Sequence, residues 1–291
     1  MKPRNNGKPD SDDEQRRLAV LIDADNAQPS VIEGLLAEVA KFGVASVKRI
    51  YGDFTSTRAT QWKNALLKFS ISPVQQFAYT SGKNATDSSL IIDAMDLMYT
   101  GRFDGMCLVS SDSDFTRLAQ RMREEGLIVY GFGERKTPDA FVQACDKFIY
   151  TEVLRAEPLP TAPAKTRSTK PAKAPAKTAA KTADRAQGNA AADIATSAPI
   201  PASTAPAKPA VLPLPLELLR RAIEEASDEQ GWAHLGAVGT YLTKIRPDFD
   251  PRLYGHKKLS DLLKSHPRYF AVEERGGAGV GSKSIYVRSL G

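Results

Sequence analysis

Along residues 18–152, short apolar runs alternate with amphipathic stretches. The runs are LAVLI (18–22), ASVKRIY (45–51), PVQQFAY (73–79), GMCLVS (105–110), LIVYGF (127–132) and KFIY (147–150). Their length and their β-branched and aromatic content predict strands. Between them, apolar residues recur at helical spacing. Val31, Leu35 and Val39 form one such face, widened by Ile32 and Leu36. Trp62, Ala65, Leu66 and Phe69 form a second, Leu90, Ile91, Ala94, Met95 and Met98 a third, and Phe115, Leu118, Ala119 and Met122 a fourth. Regular strand–helix alternation predicts an α/β domain, a parallel sheet with helices on both faces. Sites in such sheets lie beyond the carboxyl ends of the strands, where the strand order reverses.

The pattern then stops. Residues 161–210 contain 18 Ala and 7 Pro and no aromatic residue. Such a segment has too few large apolar groups to fold, so 155–211 reads as a disordered Ala/Pro/Lys linker. A flexible chain of that length reaches roughly 40 Å. From 212 to 291 a core composition returns. LELLRRAIEEA, WAHLGAVGTYLTKI and KKLSDLLKSH predict three helices, and YFAVEER and KSIYVR two strands. Three helices followed by a hairpin is the order of a small winged helix. Residues 1–17 are polar and read as disordered, which leaves 18–154 as the first domain.

The chain of 291 residues carries a net charge of +6, which suggests a nucleic-acid partner. The charge is unevenly placed. Residues 1–160 hold 20 basic and 22 acidic residues, residues 161–210 hold 8 and 2, and residues 211–291 hold 12 and 10. The excess therefore sits in the linker, where it would add salt-sensitive attraction to RNA. Cys107 and Cys145 are too few for a disulfide framework or a cysteine zinc site, and they read as core thiols of a reducing, cytoplasmic compartment. No apolar run approaches the length of a membrane span, and no membrane partner is expected. All three histidines lie beyond residue 230, so histidine-based triads and metal sites are excluded from the first domain. Chemistry there must use carboxylates, hydroxyls or lysines.

The carboxylates are placed for it. The first strand ends in IDADN, with Asp23, Asp25 and Asn26. The fourth ends in SSDSDF, with Ser110, Ser111, Asp112 and Asp114. The third helix begins after GKNATD, with Thr86 as its expected N-cap, and Asp87 shares the face of Leu90, Ile91 and Ala94 that meets the sheet. Three distant segments thus aim acids at one rim. Clustered like charges repel, and a cation relieves them; oxygen-only ligands select Mg²⁺ or Mn²⁺. Aspartate at a strand end also suits a helix cap. Asp25 and Asp114 fit caps best, and Asp23, Asp87 and Asp112 fit ligands best. On the helical wheel Asp93 and Asp96 lie away from Asp87 and read as solvated or supporting.

LAVLIDADN, GKNATDSSLIIDAM and GMCLVSSDSDFTRLAQRMREEG together resemble the NYN domain of the LabA-like group, within the PIN-like nuclease superfamily. The resemblance implies a Rossmann-like PIN fold and a metal-dependent ribonuclease. It implies Asp23, Asp87, Asp112 and Asp114 as catalytic metal ligands, with Asn26 beside them. It also carries Asp93 as a further acid of the helix motif, against the wheel placement. Arg58, in GDFTSTR, and Lys83 and Asn84 are candidates for holding RNA phosphates.

GWAHLGAVGTYLTKIRPDFDPRLYGHKKLSDLLKSHPRYFAVEE with SIYVR resembles an OST-HTH, or LOTUS, domain. The resemblance implies a winged helix that binds RNA, including G-rich structured RNA, and in some members a protein partner. Here Arg252, Lys257 and Lys258 would meet phosphates in single-stranded or structured RNA, and Tyr254 would stack on a base or belong to the core. Two other readings stay open. A haloacid-dehalogenase-like phosphatase would use Asp23 as nucleophile. A non-catalytic RNA-binding or scaffold protein would keep the fold without the chemistry.

Overall fold

The structure is a computed structural model and describes residues 15–55, 58–77, 85–154, 212–276 and 284–290. Lys83, Asn84, the N-terminal tail and the linker lie outside the described residues. Strands β1 (Arg17–Asp23), β2 (Val44–Gly52), β3 (Ser72–Gln75), β4 (Gly105–Val109), β5 (Ile128–Gly133) and β6 (Lys147–Tyr150) form one sheet. All pairs are parallel, in the order β3-β2-β1-β4-β5-β6. The chain builds outward from β1 to one edge, crosses back, and builds from β4 to the other. The order reverses between β1 and β4, so the helices that follow these two strands, Ile32–Val39 and Thr116–Glu124, lie on opposite faces of the sheet.

Side chains alternate across a strand, so each face has its own core. Ala19 and Leu21 of β1, with Met106 and Leu108 of β4, pack against α3 (Ala85–Tyr99), α4 (Thr116–Glu124) and α5 (Asp139–Ala144). Leu18, Val20 and Ile22, with Cys107 and Val109, pack against α1 (Ile32–Val39) and α2 (Arg58–Phe69). A strand buried on both faces needs apolar residues throughout, and β1 is buried from Leu18 to Asp23. Helix α5 has no counterpart among the predicted elements. Six residues are too few to display a helical period, and the burial of Phe141, Val142 and Ala144 holds it in place. Thr86 lies within α3 and does not cap it.

The C-terminal region folds as α6 (Leu216–Glu225), β7 (Ala233–His234), α7 (Leu235–Ile245), α8 (Leu259–Lys264), β8 (Phe270–Arg275) and β9 (Ser284–Ser289). The helix expected from Trp232 starts only at Leu235. Ala233 and His234 pair instead with Val287 and Tyr286, giving an antiparallel sheet in the order β7-β9-β8. The described residues of 1–156 and 211–291 belong to one compact unit. At the β6 edge the Phe148 N–H donates to the Pro247 carbonyl at 2.9 Å. Tyr150 donates to Asp248 at 3.1 Å. Arg252 donates to Glu38 at 3.0 and 3.3 Å while also holding Asp250. Burial acts to raise the Glu38 pKa, but Lys41 and Arg252 outweigh it and hold the group below its usual value.

Replacing Arg252 by Ala would leave two largely buried carboxylates under-bonded, Glu38 with Lys41 and Asp250 with a backbone N–H. The expected cost is about 2 kcal/mol, between exposed and fully buried pairs, read as a lower urea midpoint. Arg252→Lys should recover only part of it, because a single ammonium cannot replace the two-pronged contact. An unchanged midpoint in both variants would show that this contact contributes nothing.

Candidate metal centre at the sheet switch point

The alternation that builds the core also aims the acids. Asp23 continues the face of Ala19 and Leu21, and Ser110 continues that of Met106 and Leu108; both therefore turn toward α3. Ser110 donates to one Asp23 oxygen at 2.8 Å, and Asn26 donates to the same oxygen at 2.7 Å. The Asp25 N–H donates to the other at 2.9 Å. Asp23 is fully buried, and burial raises its pKa, with these donors opposing the shift. Ser110 in turn accepts the Asp112 N–H at 3.1 Å. Asp112 accepts the Asp114 N–H at 2.9 Å, so Asp112 is the N-cap of the short helical turn Ser113–Phe115. The caps thus fall on Asp112 and on the turn after Asp23, while Asp25 and Asp114 do not serve as caps.

Asp87 lies in the first turn of α3 and meets the acids of the β4 loop. One carboxylate oxygen from each of Asp87, Asp112 and Asp114 lies within 4.8 Å of the others. Asp87 and Asp112 are half-buried and Asp114 is exposed. Burial pushes the Asp87 pKa up to about 6, and the charges of Asp23, Asp112, Asp114 and Asp25 push the same way. Octahedral coordination at about 2.1 Å sets ligand oxygens roughly 3–4 Å apart, so this cluster fits a small divalent cation with little movement. An all-oxygen donor set and a carboxylate destabilised by its neighbours both suit such an ion.

Asp93 behaves differently. It is not solvated, because it accepts hydrogen bonds from Arg49 and from the Tyr51 hydroxyl. Arg49 and Tyr51 alternate with Ile50 on β2 and so face α3, where Asp93 lies nearly two turns beyond Asp87. Burial and the Asp93 contact hold the Tyr51 hydroxyl far above its usual pKa. Asp96 is exposed. Sequence reasoning missed this clamp, although the period of β2 places Arg49 and Tyr51 on one face. It named Ser111 but not its bond, the hydroxyl accepting the Glu134 N–H at 2.8 Å, and it missed Gly133, where a Cβ would stand 2.6 Å from the Ser110 carbonyl oxygen.

The expected RNA contacts scatter. Arg58 begins α2, and its side chain lies outside the described residues. Arg252 is committed to Glu38 and Asp250, and Tyr254 is half-buried with its ring tilted against Phe249, 5.8 Å between centroids. Lys257 and Lys258 are exposed.

Comparison with known proteins agrees with this architecture. The NYN domain family matches residues 17–154 and the OST-HTH/LOTUS domain family residues 210–281. The chain therefore carries an NYN domain followed by an OST-HTH/LOTUS domain. The first belongs to the PIN-like nuclease superfamily, and the second is of an RNA-binding class. Among curated proteins none matches. Among solved structures, an uncharacterized protein from Nitrosomonas europaea is 45% identical, over 33% of this chain and 90% of its own, with a TM-score of 0.26. A protein of unknown function from Vibrio parahaemolyticus is 19% identical, over 47% of this chain and 94% of its own, with a TM-score of 0.40. A segment of a Chromobacterium violaceum protein is 35% identical, over 25% of this chain and 77% of its own, with a TM-score of 0.21.

Two expectations follow from the carboxylates. An acid whose pKa is raised on folding opposes folding at pH values above that pKa, and the penalty fades as the pH falls from about 6 toward 4. Metal-free Asp87→Asn should therefore be more stable than wild type at pH 8, by about 1 kcal/mol after allowing for its solvent exposure, and equal to it near pH 4. Added Mn²⁺ should raise the Tm of wild type and leave the variant unmoved. Asp93→Ala should instead lose about 2 kcal/mol of stability by orphaning Arg49 and Tyr51, with Mn²⁺ affinity by calorimetry unchanged. Weakened Mn²⁺ binding in that variant would make Asp93 a ligand.

Proposed function

We propose that the protein is a metal-dependent ribonuclease whose OST-HTH domain recruits the RNA. The observation that carries this reading is the meeting of Asp87, Asp112 and Asp114 at the switch point of an NYN sheet. These three carboxylates would hold Mg²⁺ or Mn²⁺. When bound, such an ion polarises a phosphoryl oxygen and lowers the pKa of an attacking water.

The remaining residues prepare that centre. Asp23 aligns the ends of β1 and β4 through Ser110 and, by its charge, raises the attraction of Asp87 for positive charge. Asn26 keeps the Asp23 carboxylate from turning, and Asp25 stands exposed at the rim. Arg58, Lys83 and Asn84 would hold the phosphates that flank the scissile bond. Lys257 and Lys258 would add contacts from the second domain. A phosphoenzyme on Asp23 is disfavoured, because a carboxylate with no exposure and donors on both oxygens cannot attack an incoming phosphoryl group. Two unpaired, buried thiols agree with a reducing, cytoplasmic setting.

The test is cleavage of labelled single-stranded and structured RNA with Mn²⁺, Mg²⁺ or chelator. Wild type should cut only with metal, and Asp87→Asn and Asp112→Asn should each lose more than about 100-fold in rate. Equal cleavage by wild type and Asp112→Asn would sink the mechanism.

A further inference from the structure

The antiparallel sheet of the C-terminal domain has one face in the core and one toward solvent. Val287 and Phe270 mark the inner face, and both are buried. By alternation Tyr286 and Arg288 of β9 point outward, as do Glu273 and Arg275 of β8. His234 stands opposite Tyr286, and so does Glu273 from the other side. Trp232, one residue before β7, is buried beneath the arginines of this outer face. An outward strand face ordinarily carries small polar or charged residues. Here it carries a stack of planar groups.

The Arg275 guanidinium lies 4.7 Å from the Trp232 ring centre and 4.6 Å from that of Tyr286. The Arg288 guanidinium lies 5.0 Å from the Trp232 ring centre. His234 meets Tyr286 edge-on, 5.5 Å between centroids. Two cations thus converge on one indole, where they repel each other. Glu273 offsets Arg275 only weakly, at 3.3 Å and in solvent, and Arg288 makes no ion pair among the described residues. The face holds two guanidinium planes immobilised on aromatic rings, and one of them, Arg288, has no ion pair among the described residues. Such planes present donors to phosphate along their edges and a flat surface to a base. Little side-chain freedom remains to be lost on binding.

We propose that this outer face, built on Arg275, Tyr286 and Arg288 over Trp232, is the surface on which the OST-HTH domain holds single-stranded RNA. The proposal rests on the reading of that domain as the RNA-recruiting part of the protein. It places the main contact on the sheet and leaves Lys257 and Lys258 as accessory contacts, while Arg252 is bound internally. An acidic peptide would use the two charges but would gain nothing from the flat aromatic–guanidinium layers. For that reason RNA is the favoured occupant.

The chain has two tryptophans, Trp62 and Trp232. In a full-length Trp62→Phe, Asp112→Asn protein, Trp232 is the sole indole and reports directly on this face. Titration with a fluorescein-labelled 12-nucleotide oligouridine and with a mixed-sequence 12-mer should quench Trp232. The quenching should follow the same curve as the RNA anisotropy. Arg288→Gln, an exposed substitution that leaves the fold intact, should weaken binding about fivefold and lower the salt slope by about 0.7, one phosphate's worth. Arg275→Ala with Arg288→Ala should double that loss of slope. Tyr286→Leu should weaken binding about tenfold with the slope kept, because it removes a stacking surface and no charge.

Unchanged affinity in Arg288→Gln and in the double variant would overturn the proposal, as would a silent Trp232 during saturable RNA binding. Binding of poly-glutamate at Trp232 that RNA does not displace would overturn it in favour of a protein-binding face. RNA cleavage by the protein with its native aspartates is measured beside these titrations. Cleavage that survives while the face fails separates the loss of this proposal from the loss of the nuclease reading.

Discussion

A carboxylate without solvent stands where the sheet reverses its strand order, and the site is arranged around its requirements. Burying Asp23 costs several kcal/mol unless its oxygens are bonded, so each donor that reaches it is held in a defined place. Ser110 locks the end of β4 to the end of β1. Asn26 and the Asp25 amide fold the β1 loop back over the strand end. Because Ser110 also accepts the Asp112 amide, the bond that stabilises a buried acid also orients the loop that carries two more. The remaining charge raises the proton affinity of Asp87 and makes the cluster receptive to a cation.

The acids therefore divide by environment and not by residue type. Asp23 is buried and fully bonded and acts through its neighbours. Asp87, Asp112 and Asp114 are partly open and converge on one point. Asp93 lies on the same helix as Asp87, yet Arg49 and Tyr51 take it up and clamp α3 to β2. That clamp holds the helix that carries Asp87 against the sheet.

The arginines of the second domain divide in the same way. Arg252 is spent on Glu38 and Asp250, within the folded unit. Arg275 and Arg288 lie on aromatic rings of the outer sheet face, Arg275 also donating to the exposed Glu273. A charged residue next to an aromatic one in sequence says little about which of these uses it serves. The partner is supplied by strand pairing or by a distant segment.

Much was legible in the residues themselves. The order of strands and helices followed from hydrophobic period, because a parallel sheet demands apolar runs between amphipathic helices. The convergence of Asp23, Asp87 and Asp112 on one rim followed from their places at strand and helix ends. The winged-helix order was visible, but β7 was not, since two residues carry no period and are held only by β9. Helix α5 was missed for a similar reason. The division of labour among the acids required the fold. Asp23 differs from Asp87 by burial, and Asp93 differs from Asp96 by the side chains β2 sets against it. The sequence by itself determined which elements form and which ends carry acids, because period and composition are local. The tertiary structure decided which acid is buried and bonded, which three converge and which arginine faces outward, because solvent exposure and partners come from segments far apart in the chain.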